Sequence, residues 1–171
     1  MSKTIHSPGV VKVEEVTPYN ATLSIEPLHN GYGMTLGNSL RRVLLSSISG
    51  AAVTGFKIDG VSHEFTTIKG VQEDVVDIIL NLKKIRFQVF SDEPQTLRLT
   101  KKGKGTITAK DITKNTNVEI VNPSQKIATI GDDKGSVSID LVVETGRGYR
   151  GVEENSKNKV ISDMVSIDAI F

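Results

Sequence analysis

Two segments of the chain carry apolar residues at helical spacing. The first runs from Asn38 to Ile48 and follows a glycine-punctuated stretch, residues 31–37, that predicts a loop. Thr35 or Asn38 is expected to cap its first turn, because both side chains accept hydrogen bonds from unpaired amides. Residues 71–84 predict the second helix, with acidic residues in the first turns and lysines at the end, as the helix dipole favours.

The first helix carries a wide apolar stripe. Leu40, Val43, Leu44 and Ile48 recur at helical spacing, and Leu36 and Leu45 lie beside them. This is more apolar surface than one small sheet needs to cover, so part of it is expected to face a partner.

Two adjacent arginines, Arg41 and Arg42, interrupt the apolar residues of this helix. Arginine is favoured at interfaces, because its guanidinium group binds carboxylates through two hydrogen bonds and stacks on planar groups. A pair of exposed arginines on a helix surface without any partner is the alternative, and the pattern leaves both interpretations open.

Most of the remaining chain is predicted to form strands. Residues 10–13 and 21–25 indicate an opening hairpin. Residues 52–58 and 61–65 indicate a second hairpin, because the Asp59-Gly60 pair between them tolerates the positive φ values of a tight turn. Further β-prone runs lie at residues 86–90, 95–99, 105–109, 118–121, 126–130 and 136–143. The polar residues 153–159 predict a solvated loop.

Composition is that of a globular protein. The 171 residues are 37% hydrophobic and 24% charged, and no apolar run approaches the ~18 residues needed to cross a bilayer. Lysines and arginines number 21 against 20 acidic residues, which is not the strongly basic balance of a nonspecific nucleic-acid binder. Without cysteine or the apolar core of a secretion signal, a cytoplasmic location is expected.

Few residues suggest catalysis or metal binding. His6, His29 and His63 lack the spacing of metal ligands. His63 and Glu64 are neighbours on a predicted strand and would point to opposite faces, so they are not expected to act as a general-base pair. The glycines within residues 31–37 match neither common phosphate-loop pattern, which favours a role in backbone geometry over nucleotide binding.

Two basic, glycine-containing segments, residues 101–104 and 146–151, have the charge to contact phosphate. Three Tyr, five Phe and no Trp give little provision for stacking on bases. Solvated loops are the favoured interpretation of both segments, and an independent nucleic-acid-binding module remains the alternative function.

Several longer motifs carry a family resemblance. They read EPL at 26–28, GYGMTLGNSLRRVLLSS at 31–47, IDGVSHEF at 58–65, GVQED at 70–74, LNLK at 80–83, GRGY at 146–149 and IDA at 167–169. From residue 10 to residue 171 the chain resembles the amino-terminal region of the bacterial RNA polymerase alpha-subunit family.

The resemblance implies an α+β fold with two domains. Residues 1–49 and 160–171 would form part of a discontinuous dimerisation domain, built from a sheet and a helix, the rest of which follows the position of Phe171 in the family. An inserted, mostly β domain would comprise residues 50–159. Members of the family continue past the position of Phe171, so this stretch is expected to dimerise only weakly by itself.

The resemblance also implies a function. In this family alpha dimerises and then recruits the beta and beta-prime subunits, so the chain is expected to be a non-catalytic assembly scaffold of DNA-directed RNA polymerase. Catalytic residues, a cofactor and a metal are not expected in it. Contact with DNA is expected only indirectly, through an assembled polymerase at the nucleoid.

The motif positions carry over as three sets of expected contact residues. The beta-subunit contacts are Arg42, Leu45, Ser46, His63, Glu64 and Gly70. The beta-prime contacts are Lys83 and Ile167. The dimer interface is formed by Leu36, Leu40, Val43, Leu44 and Ile48.

Overall fold

The fold is given by a computed structural model, which describes residues 9–17, 20–61, 63–157 and 163–171. His6 lies outside these ranges. The chain divides into two compact units, Met1–Leu45 and Ser46–Phe171. The described residues form a sheet-dominated α+β structure with three α-helices. Among the described helices, none combines the length and apolar character needed to cross a membrane.

The first unit begins with the predicted hairpin, which is confirmed. Strands β1 (Val10–Thr17) and β2 (Asn20–Glu26) pair antiparallel, with Val11 opposite Ile25 and Val13 opposite Leu23. Because side chains alternate along a strand, these four apolar residues share one face of the ribbon.

Helix α1 (Tyr32–Ser46) begins earlier than the sequence pattern predicts. Gly31 takes a left-handed conformation with φ of 80° just before it, but Gly33 and Gly37 lie inside the helix. The predicted loop at residues 31–37 is therefore wrong, and so are the expected caps at Thr35 and Asn38. Glycine inside a helix costs about 1 kcal/mol relative to alanine, which penalises a helix without excluding it.

The second unit is built on four strands, β3 (Ser49–Ile58), β5 (Gln95–Lys102), β9 (Ser136–Arg147) and β11 (Val165–Ser166). They form an antiparallel sheet in the order β11-β3-β9-β5. Three two-stranded antiparallel pairs accompany it: β4 (Phe87–Val89) with β7 (Val118–Ile120), β6 (Gly105–Thr108) with β8 (Lys126–Ile130), and β10 (Tyr149–Arg150) with β12 (Ala169–Ile170).

Helix α2 (Val75–Leu82) confirms the second predicted helix in a shorter form. Asp74 caps it, because its carboxylate accepts a hydrogen bond of 2.7 Å from the amide of Asp77. Val71, which the pattern placed in the helix, instead forms a bridge with Ile130 at the end of β8. The extended backbone of residues 71–74 is thus used for pairing rather than for a further helical turn.

The core of the second unit lies between α2 and the strands. Helix α2 contributes Val75, Ile78 and Leu82, which share one helical face. The largest fully buried side chains from the strands are Phe56, Leu99, Ile107, Ile127, Ile130, Ile139, Leu141 and Val143. Burial of a large aliphatic or aromatic side chain contributes about 1.5–3 kcal/mol, so this apolar cluster is the main source of stability in the unit.

The second predicted hairpin is wrong. Asp59-Gly60 does form a turn, with φ of 82° at Gly60, but residues 61 and 63–65 form no strand. His63 and Glu64 are accordingly not on a strand. Strand β3 pairs with β9, which lies far along the sequence, because the long apolar β9 covers β3 over its whole length.

The chain after β9 is also more regular than predicted. Residues 146–151, predicted as a solvated loop, complete β9 and form β10. Helix α3 (Val152–Lys157) replaces most of the loop predicted at residues 153–159, of which 158–159 lie outside the described residues. Its acidic residues stand in the first turn and Lys157 in the last, as the helix dipole favours.

Candidate subunit interface

Helix α1 has no buried residue. Leu40, Val43 and Leu44 of the helix are 40%, 55% and 59% exposed, and Leu36 is half-buried. Ile48, which the pattern placed in the helix, follows its end at Ser46 and is 57% exposed. Solvent exposure of so many large apolar side chains on one helix is typical of a protein-binding surface.

The expected dimer and beta contacts lie on opposite faces of α1. Successive helical residues are rotated by about 100°, so Leu36, Leu40, Val43 and Leu44 form one stripe. Arg42, Leu45 and Ser46 project from the other side. All three are exposed, Leu45 by 63%. Arg41 lies at the border between the two faces. A helix with this arrangement can contact two different polypeptides at once.

The remaining expected beta contacts lie in the connection between β3 and α2. His63 is exposed, and Glu64 and Gly70 are half-buried. Glu64 lines a surface cavity of about 440 Å³ together with Phe65, Thr66, Thr67, Asp74 and Val76. Phe65 is 79% exposed and is the most exposed large apolar residue of the described chain.

Gly70 is explained by the turn that it forms. Its φ is 83°, a left-handed conformation that favours glycine. Its carbonyl oxygen accepts a hydrogen bond of 2.8 Å from the amide of Gly131. A Cβ atom at Gly70 would also lie 3.5 Å from the Cβ atom of Asp132. The conformation of Gly70 therefore determines the direction of the chain between residues 63–65 and α2.

The carboxylate of Glu73 links the connection before α2 to β8. Its carboxylate accepts hydrogen bonds from the Thr129 amide at 2.6 Å, the Thr129 hydroxyl at 3.0 Å and the Lys126 Nζ at 2.9 Å. Burial acts to raise the pKa of Glu73, but the bonds from Lys126 and Thr129 outweigh it and hold the pKa below its ordinary value. The sequence offered no signal for this contact, because Glu73 matched the acidic first turn of a helix.

The two expected beta-prime contacts are brought together by a third residue. Lys83 follows α2 and forms an ion pair with Asp168, which is the neighbour of Ile167. Both charged side chains are about one-third exposed, at 30% and 35%. The side chain of Ile167 belongs to the buried core. Lys83 and Asp168 are therefore the charged groups that this patch presents to solvent.

Backbone and side-chain hydrogen bonds fix the position of Ile167. Its amide donates to the carbonyl oxygen of Thr54 at 3.0 Å. Its carbonyl oxygen accepts from Nδ2 of the buried Asn155 in α3. Sequence reasoning missed Asn155 because the surrounding residues are polar and were interpreted as a loop.

The basic segments considered for phosphate binding use part of their charge internally. Lys101 pairs with Asp111 at 2.7 Å. Arg150 forms an ion pair with Glu144, and its guanidinium carbon lies 4.9 Å from the ring centroid of Phe171. The charges of Lys101 and Arg150 are therefore paired within the second unit.

Comparison with known proteins identifies the family. The family model of the RNA polymerase Rpb3/RpoA insert domain matches residues 56–171. The chain belongs to the RNA polymerase alpha-subunit family. A DNA-directed RNA polymerase subunit alpha from Oceanobacillus iheyensis is 49% identical over 170 residues, covering 98% of this chain and 53% of the relative.

Other alpha-family relatives are similar to the same degree. The subunit alpha of Bacillus velezensis is 51% identical over 147 residues, which cover 86% of this chain and 46% of the relative. That of Desulfitobacterium hafniense is 48% identical over 168 residues, with coverage of 98% and 53%. The chain therefore spans about half the length of the curated relatives that it matches.

Proposed function

We propose that this chain is a non-catalytic assembly-scaffold subunit of bacterial DNA-directed RNA polymerase, which dimerises and recruits the beta and beta-prime subunits. The arrangement of α1 carries the proposal. Its two opposite exposed faces give one helix the means to bind a second alpha chain and the beta subunit together. The names of the relatives support a polymerase assembly as the setting.

In this proposal the apolar stripe of α1 is the dimer interface. Its members are Leu36, Leu40, Val43 and Leu44. Ile48, just after the helix, completes the proposed interface. Apolar side chains that remain 40% to 59% exposed gain free energy when a partner removes them from water, at about 25 cal/mol per Å² of apolar surface. A self-complementary stripe suits the two-fold symmetry of a homodimer.

The opposite face of α1 contacts the beta subunit. Arg42 supplies a guanidinium group for a carboxylate of the partner, and Leu45 supplies apolar area beside it. Ser46 adds a hydrogen-bonding hydroxyl group at the end of the helix. His63, Glu64 and Gly70, on the connection before α2, are the further beta contacts in this proposal.

The patch around Lys83 and Ile167 contacts beta-prime. Lys83 provides the charged group, and Ile167 acts through its fixed backbone position because its side chain is buried.

We also place residues 1–49 and 160–171 in a discontinuous dimerisation domain, with residues 50–159 inserted; residues 160–162 lie outside the described part. The assembled complex works in the cytoplasm at the nucleoid and is the route by which the chain meets DNA.

A co-purification experiment tests this function. The chain is expressed with an affinity tag, together with the beta subunit alone, the beta-prime subunit alone, or both. We expect beta to be retained by the chain, and beta-prime to be retained in quantity only when beta is present. Failure to retain beta in either combination would contradict the scaffold function.

The same material distinguishes the nucleic-acid alternative. Filter binding of the isolated chain to double-stranded DNA at 50 mM and 200 mM salt is expected to show weak binding. High affinity with a steep salt dependence, without retention of beta, would favour the independent nucleic-acid-binding module instead.

A further inference from the structure

A surface groove lies in the second unit between β7 and the loop that follows the 3-10 helix Ala109–Asp111. Its volume is about 490 Å³. The floor is apolar, because Leu97, Ile112 and Val118 are buried there and Ile120 is half-buried. The residues that border the groove and are exposed are Phe90, Lys110, Thr113, Lys114, Thr116, Glu119 and Pro123.

The ring of Phe90 adds to this apolar surface. It is 63% exposed at the end of β4, and its amide donates a hydrogen bond of 2.9 Å to the carbonyl oxygen of Asn117. That backbone bond fixes the residue beside the groove. An exposed aromatic residue next to a buried apolar floor is a typical anchor of a protein-binding site.

The charge around the groove favours an acidic occupant. Lys110 and Lys114 line it and, within the described residues, neither forms an ion pair. Among the described residues that line the groove, Glu119 is the only acidic one. Two lysines against one glutamate leave a positive field over an apolar floor, which attracts a carboxylate flanking an apolar group.

The exposure of the residues that line the groove favours a peptide over a small molecule. Small-molecule sites usually enclose 70–90% or more of a drug-sized ligand, but more than half of the residues lining this groove are exposed. A peptide needs to insert only one or two side chains and can leave the rest of its surface in water. The volume is in the range that accommodates one large apolar side chain and its neighbour.

We propose that this groove binds an acidic peptide segment of a protein partner, with a large apolar side chain on the floor and adjacent carboxylates at Lys110 and Lys114. None of the residues that line the groove is among those assigned above to dimerisation, beta or beta-prime. Its existence does not depend on the scaffold function, so either can fail without the other.

Fluorescence anisotropy with designed peptides tests the site. The probe is a fluorescein-labelled peptide Gly-Asp-Phe-Glu-Leu-Gly, titrated with the full chain at low and moderate salt. We expect saturable binding that weakens as salt is raised, and much weaker binding when Phe in the peptide is replaced by Ala or both acids by Lys.

Matched variants locate the binding in the groove. Lys110→Glu with Lys114→Glu is expected to weaken binding about tenfold or more, and Phe90→Ala several-fold. Glu119→Gln is expected to strengthen it. The control pair Lys104→Glu with Lys134→Glu, at exposed lysines outside the groove, changes the net charge equally and is expected to have a much smaller effect.

Three results would overturn the proposal. The first is equal binding of the acidic and basic peptides. The second is an equal loss of affinity in the groove and control pairs while circular dichroism shows all variants folded. The third is a change of sedimentation behaviour at the groove variants without peptide binding, which would assign the groove to a second copy of the chain.

Discussion

The ring of Phe171 lies directly against Gly146, so that a Cβ atom at Gly146 would lie 2.7 Å from Cε2 of Phe171. The strand partner of Gly146 in β3 is Gly50, where a Cβ atom would lie 2.6 Å from the carbonyl carbon of Phe171. Phe171 therefore packs against both glycines, and the guanidinium group of Arg150 lies over the face of its ring.

Gly146→Ala is therefore expected to destabilise the second unit by about 1–3 kcal/mol, because the ring must move to relieve the overlap. Urea denaturation measures the change in the free energy of unfolding. Gly131→Ala is the control, since its Cβ atom would meet its nearest neighbours at an ordinary 3.9 Å. In a Phe171→Ala background the cost of Gly146→Ala should largely disappear, and full additivity of the two changes would contradict the assigned contact.

Acid should weaken the fold through Glu73 and Asp111. Burial acts to raise both pKa values, but hydrogen bonds from Lys126 and Thr129 to Glu73, and from Lys101 and Thr108 to Asp111, lower them by more than burial raises them. Each folded-state pKa lies below the ordinary values of 4.5 and 3.8. The folded state therefore favours the ionised carboxylates, and their contribution is complete above those ordinary values and lost as the pH falls through the folded-state pKa values.

Urea denaturation at a series of pH values from 7 to 3 checks this expectation. The free energy of unfolding should fall with decreasing pH below about pH 5. Glu73→Gln and Asp111→Asn should each be less stable at pH 7 and show a shallower decrease in acid. If a variant keeps the pH dependence of the parent chain, the carboxylate that it lacks does not contribute to the loss of stability in acid.

Lys83 is expected to affect beta-prime binding more than stability. Its ion pair with Asp168 is partly exposed, and such pairs contribute about 0–1 kcal/mol. Lys83→Ala should lower the free energy of unfolding by no more than about 1 kcal/mol. It should also reduce the amount of beta-prime retained on a complex of the chain with beta.

The neighbouring Lys84→Ala provides the matched control, because Lys84 is also exposed and stands one residue further along. We expect it to retain beta-prime at the level of the parent chain. Equal retention by the two variants would argue against Lys83 as a contact residue.

Local patterns predicted the elements whose signals are local. The opening hairpin and α2 were recognised from alternation, helical spacing and charge order, and Asp59-Gly60 was correctly identified as a turn. Strand pairing was not predictable in this way. Strand β3 found its partner in β9 rather than in residues 61–65, because a long buried strand offers more apolar contact than a short local one.

The errors at the helices have separate causes. Gly33 and Gly37 made the first turns of α1 resemble a loop in the sequence, because glycine is unfavourable in a helix. It is not excluded from one, and both glycines lie inside α1. For α3 the charge order of Glu153, Glu154 and Lys157 is a helical signal, but the polar composition of the segment favours a loop. Glu73 and Asp168 were beyond sequence reasoning altogether, because their partners Thr129 and Lys83 lie far away along the chain.

The affinity of the chain for the beta subunit is the most direct test of the central claim, that α1 binds beta through the face opposite its apolar stripe. Surface-immobilised chain is titrated with purified beta, using the parent, Arg42→Ala and Arg41→Ala. We predict at least about tenfold weaker binding for Arg42→Ala and a change within about twofold for Arg41→Ala, which lies at the border of that face. Equal affinities of the parent and Arg42→Ala would contradict the assignment of this face to beta.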